Sequence, residues 1–151
     1  MYFTTLFIHS WLRWVVLILA IWVIIRSLSA WLGKKDYLAS DNRLAIFFIA
    51  FMHLQLVIGL ILYFVYSPMG LAAFQQGMGS VMKNGAVRYW AVEHIFTMVV
   101  AVVLAQIGRT RSKRAVNPIA KHKNLAIFTI LALLLILSRI PWETARLFRL
   151  S

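Results

Sequence analysis

The sequence predicts an all-α membrane fold, an antiparallel bundle of four transmembrane helices with both termini outside. Three observations carry that reading. The 151 residues are 62% hydrophobic and 13% charged, a balance that water-soluble domains do not carry. Four apolar runs, Leu6 to Ile25, Leu44 to Tyr66, Tyr89 to Ile107 and Leu125 to Ile140, are separated by polar stretches, and about 20 apolar helical residues suffice to cross ~30 Å of hydrocarbon. The basic side chains, finally, gather in the first and third connections between those runs.

Each run is predicted to be a helix because backbone groups in lipid must pair internally, and none alternates polar with apolar residues as a barrel strand does. The helices are expected at about 4–26, 44–66, 87–108 and 123–141, in a single domain spanning 1–151. The first run is expected to be retained and not cleaved as a signal peptide. It is too long, lacks a basic leader and is followed by no small-residue cleavage site. Ser27 to Asn42 is expected to continue as a short interfacial helix around Trp31, with Tyr37 at headgroup level. Ser67-Pro-Met-Gly70 and Gly77-Met-Gly79 predict a turn and a short irregular stretch in the second connection. Asn117 and Pro118 punctuate the third connection, and Pro141 marks the end of the fourth helix.

The net charge of +12 comes from residues beside the spans. They form no aromatic-interleaved domain that would bind nucleic acid. Arg26, Lys34, Lys35 and Arg43 occupy the first connection, and Arg109, Arg111, Lys113, Arg114, Lys121 and Lys123 the third. The positive-inside rule therefore puts these two connections in the cytoplasm and the stretch from Ser67 to Arg88 outside, a bias that Arg146 and Arg149 dilute. Attraction to anionic lipid accounts for the basic loops, so the bilayer is the expected partner. With no cysteine, thiolate metal ligands, disulfides, iron–sulfur clusters and covalent haem attachment are excluded.

Ionisable side chains within membrane helices are costly and mark candidate function. They are His9, Arg13, His53, Glu93, His94 and Arg139. At 1.5 Å per residue from the cytoplasmic ends, His9 lies roughly 24 Å up, His94 roughly 21 Å and His53 roughly 14 Å. A haem b needs two axial ligands at one depth on opposite sides, with cations for its propionates. His9 and His94 match in depth and sit on diagonal helices, while a helix tilt of ~20° would reconcile His53 with His94. His94 is thus one expected ligand, paired with His53 or His9, and the third histidine is left for a propionate or a second site. Arg13, one turn below His9, and Arg139 are the expected propionate cations, and Glu93 is the alternative partner of either arginine. His122, between Lys121 and Lys123, is expected to be a solvated or lipid-facing residue of the inner surface.

The stripe Ala101, Ala105, Gly108 and the isolated Gly59 offer room for a ring, although small residues in membrane helices usually mark close packing. Met69, Met78, Met82 and Met98 keep open a Cu(I) site built on thioethers and imidazoles. Glu93, His53 and Gln55 keep open a quinone pocket or proton relay. No hydrolytic triad, phosphate loop or metalloprotease spacing is visible.

The stretches His9-Ser-Trp-Leu-Arg-Trp14, His53-Leu-Gln-Leu-Val-Ile-Gly59, Glu93-His94 through Ala101 to Gly108-Arg109, and Ile140-Pro-Trp142 resemble small bacterial four-helix membrane proteins described as cytochrome b-like. The resemblance covers nearly the whole chain. It extends more distantly to one four-helix half of haem A synthase, which implies a histidine pair on the second and fourth helices of such a half. Here His53 stands on the second and the fourth has no histidine within the membrane, so that ligand set does not transfer. The resemblance implies haem b and electron transfer in a bacterial inner membrane. The expected function is that of a membrane haem protein or haem-bearing subunit, beside other membrane redox subunits or a quinone and open to oligomer formation. A haem-free accessory subunit of a respiratory or transport complex is the alternative, with a copper or quinone protein as the third.

Overall fold

A computed structural model describes residues 1–143. Arg146 and Arg149, which enter the charge argument above, lie outside the described residues. The chain is helical throughout, with no strand among the described residues. Helix α1 runs Tyr2–Leu32, α2 runs Ala39–Ile61 and closes in a π-helical turn over Leu62–Tyr66. A 3-10 turn, Leu71–Gln76, and two short helices, α3 (Met78–Lys83) and α4 (Gly85–Arg88), form the second connection. A second π turn, Tyr89–Glu93, leads into α5 (His94–Arg114), and α6 spans Pro118–Ser138. Four of these segments are long and apolar enough to cross a membrane: Tyr2–Leu32, Ala39–Gln76, Gly85–Arg114 and Pro118–Ser138.

The helices overrun the apolar runs at the basic end. Helix α1 continues unbroken to Leu32, so the stretch around Trp31 is not a separate interfacial helix. Helix α5 carries Arg111, Lys113 and Arg114 in its last turn, where cations oppose the negative end of the helix dipole. Helix α6 starts at Pro118, which has no N–H to lose at the first helical position, and the Asn117 side chain accepts from the Ile119 N–H at 2.8 Å. At the start of α2 the Asp41 carboxylate accepts from the Leu38 N–H at 2.9 Å, the reciprocal half of a capping box.

The four long helices close into a ring: α1 packs on α2 and α6, and α5 packs on the same two, which leaves α1 and α5 on one diagonal. Small buried residues allow the approach. Ala20, Ala101, Ala126 and Ala132 are fully inaccessible, and a Cβ placed on Gly108 would lie 2.5 Å from the Phe128 Cβ. Outside the seam, large apolar groups such as Ile18, Trp22, Phe47 and Leu134 face outward. That is the arrangement a hydrocarbon solvent favours.

Candidate functional site

A cavity of about 280 Å³ lies between the helices at the end away from the two basic connections. Each wall is a helical stripe. Helix α1 contributes His9 and Arg13, four residues apart and so on one face; α2 contributes Met52, Gln55 and Gly59; α5 contributes His94, Met98 and Val102. Ile136, Ile140 and Pro141 close the α6 side, and both π turns reach the cavity, through Leu62 and Tyr63 on one and Trp90 on the other. Each π turn lets its helix present a side chain that an α register would aim elsewhere.

The end of α6 fixes the His94 ring. Pro141 cannot continue the helix, so the last carbonyls of α6 lack intrahelical partners. The Arg139 carbonyl is taken instead by two side chains of the opposite wall: the Tyr89 hydroxyl donates to it at 2.6 Å and His94 Nδ1 at 3.0 Å. Because a carbonyl oxygen only accepts, His94 Nδ1 must carry its hydrogen, and Nε2 keeps the lone pair. This is the orientation device by which proteins hold metal-ligating imidazoles.

His9 is held from α2. The Gln55 side-chain amide donates to the His9 carbonyl at 3.0 Å, and its nitrogen lies 3.5 Å from His9 Nε2. Gly59, one turn on, leaves room for the ring, since a Cβ there would meet His9 Cε1 at 3.1 Å. His9 Nδ1 and Gln55 Oε1 are buried and find no hydrogen-bond partner among the described residues. Two imidazoles on diagonal helices and one arginine line the cavity, with Ser10, Gln55, Tyr63 and Ser67 among mainly apolar walls, a donor set of the kind a b-type haem requires.

The other predicted residues are dispersed. His53 is exposed on the outer face of α2, its Nδ1 donating to the Ile49 carbonyl at 2.8 Å, and it does not line the cavity. His53 points away because it falls one residue past Met52, whose face is the buried one. Glu93 bridges Arg88 at 2.8 Å and Arg139 at 3.5 Å near the helix ends, so the Arg139 guanidinium is engaged there and does not line the cavity. Glu93, His53 and Gln55 are not brought together. Nor are the methionines: Met69 and Met98 line the cavity, while Met78 and Met82 line an open apolar groove beside Tyr63 and Phe96. No group of three or more His, Asp or Glu side chains placed to hold a metal ion occurs among the described residues. Tyr63, which reaches the cavity and donates to the Ala91 carbonyl at 2.9 Å, was not singled out by the sequence. Only its place in an unbroken apolar run would have pointed to it.

His122 corrects an expectation. It is completely buried, and its Nε2 lies 3.2 Å from the Asp36 carbonyl oxygen and 3.9 Å from the Asp41 carboxylate. The α6 helix begins at Pro118, seven residues before the apolar run, which places His122 within the helix and turns it inward while Lys121 and Lys123 extend over the rings of Tyr37 and Trp31. No protein-family model, curated protein or solved structure matches the chain.

Proposed function

We propose that this chain is a multi-pass membrane haem protein that carries single electrons, in which His94 and His9 would hold the iron of a b-type haem. The observation that carries the proposal is the His94 ring, whose Nδ1 hydrogen is committed to the Arg139 carbonyl, leaving a lone pair on a cavity that His9 also lines. Once bound, the iron supplies reversible one-electron chemistry. The residues around it do the rest. Gln55 and Gly59 hold His9, Arg13 would be the cation on the cavity for a propionate, and Met98, Val102 and Ile136 would keep water from the bound group. In this reading the helices alternate in direction, the basic connections face the cytoplasm, and the cavity sits in the outer half of a bacterial inner membrane.

The test is a dithionite-reduced minus oxidised spectrum of the purified full chain. A sharp b-type α-band is expected. His94→Ala and His9→Ala abolish it, whereas His53→Ala leaves it in place. Absence of the band after haem supplementation, or its loss in His53→Ala with retention in His9→Ala, overturns the assignment.

A second reading, a quinone-type head group in the same cavity, is favoured by the unpartnered His9 Nδ1 and Gln55 Oε1 on one wall. The first suits a quinone carbonyl and the second a quinol hydroxyl. Organic extraction that yields stoichiometric quinone from a preparation without a haem band would favour it. The haem-free accessory-subunit reading predicts a colourless protein recovered in a stoichiometric larger complex.

A further inference from the structure

The basic end of the bundle holds a second polar cluster that the haem reading does not use. Three elements meet there: the stretch between α1 and α2 brings Asp36 and Tyr37, α5 brings Ser112, and α6 brings His122. His122 and Ser112 are both 0% exposed. The Tyr37 and His122 rings lie 5.0 Å apart, centre to centre, and Lys121 Nζ reaches back to the Ser112 carbonyl at 3.3 Å, which ties α6 to this turn of α5.

Most of the polar atoms here are satisfied. Arg26 grips the Asp41 carboxylate at 2.6 Å, and Arg109 donates to Asn42 at 2.8 Å. Because the Asp36 carbonyl can only accept, His122 Nε2 carries a hydrogen, and in the neutral ring Nδ1 is left as an acceptor. Three buried atoms remain without a hydrogen-bond partner among the described residues: His122 Nδ1, Tyr37 Oη and Ser112 Oγ. Each unsatisfied buried polar atom carries a desolvation penalty, which one solvent molecule hydrogen-bonded to all three would relieve. Burial raises the Tyr37 phenol above its ordinary pKa, against the opposing effect of the Ser112 hydroxyl, which lies within hydrogen-bonding reach of it. Tyr37 is therefore a hydrogen-bond donor throughout the neutral range.

We infer that His122 Nδ1, Tyr37 Oη and Ser112 Oγ form a buried binding site for one ordered water molecule. The water donates to His122 Nδ1, accepts from the tyrosine hydroxyl and exchanges a hydrogen bond with the serine. It thereby joins the first connection, α5 and α6 through a single solvent molecule. The site is independent of the haem assignment, being made of other residues at the opposite end of the bundle.

The experiment uses the full chain, labelled with ¹⁵N in its histidine rings and reconstituted in lipid nanodiscs at neutral pH. The His122 signal is assigned by its loss in His122→Gln. The expected spectrum has Nε2 protonated and Nδ1 unprotonated but displaced toward the hydrogen-bonded position, with magnetisation transferred from water to the His122 ring. Tyr37→Phe and Ser112→Ala each move Nδ1 back toward the non-bonded position and weaken that transfer, while the signals of His9, His53 and His94 stay in place as proof of fold. A protonated Nδ1 overturns the inference, since the ring would then donate directly to a hydroxyl. So does an unprotonated, non-bonded Nδ1 without transfer from water, the mark of a dry void.

Discussion

Single side chains decide what the cavity between the helices can hold. The His9 ring fits because residue 59 has no Cβ, the nearest ring atom lying 3.1 Å from where one would stand. Gly59→Ala is expected to tilt the ring and lower the intensity of the b-type band, and Gly59→Val to remove it, both read from the reduced-minus-oxidised spectrum at equal protein concentration. At the other end, Asp41 is 4% exposed, receives Arg26 and caps α2 through the Leu38 N–H. Arg26 is about a third exposed, so solvent screens part of the pair. Asp41→Asn should therefore cost roughly 1–3 kcal/mol, read as a lowered unfolding midpoint in a detergent titration. At this scale the sequence offered His9, Arg13 and His94 through the cost of polar groups in lipid. It could not rank His53 against His9, because one residue of helical phase separates a buried position from an exposed one. It misread His122 for a related reason: flanking lysines suggest solvent, yet long lysine stems leave a buried neighbour free to turn inward.

Among the helices, the apolar runs located the four spans and the punctuation residues located their ends. Asn117 and Pro118 set the start of α6, and Asn117→Ala is expected to cost about 1 kcal/mol through the lost bond to the Ile119 N–H, measured by the same detergent titration. Gly108 sets how closely α5 and α6 approach. Gly108→Leu should separate them and lower the unfolding midpoint well beyond the Asn117→Ala effect. Hydropathy did not foresee that α1 and α5 would run on into their basic ends, since helical hydrogen bonding continues at the interface wherever side chains can reach water. The two π turns were equally hidden, because a π turn is a matter of one surplus residue and leaves no compositional mark.

For the molecule as a whole, orientation is the boldest expectation, and the absence of native cysteine makes it directly testable. Single-cysteine variants Lys34→Cys and Lys113→Cys are expected to react with a membrane-impermeant maleimide only in inverted vesicles, and Gln76→Cys only in intact cells. The reverse pattern would place the cavity toward the cytoplasm. Composition and charge fixed the class of fold and proposed this orientation. The meeting of His94 with the Arg139 carbonyl could not be read from them, because it joins residues 45 positions apart through a backbone atom. The π turn over Tyr89–Glu93 has one more consequence. It works as a phase adapter: α5 keeps the rotation that puts His94 on the cavity, while the segment before it keeps another that lets Tyr89 and Arg88 reach their partners. Deleting one residue there would turn the preceding segment by about 100° against α5, so the cavity wall would survive while its latch to the end of α6 disengaged.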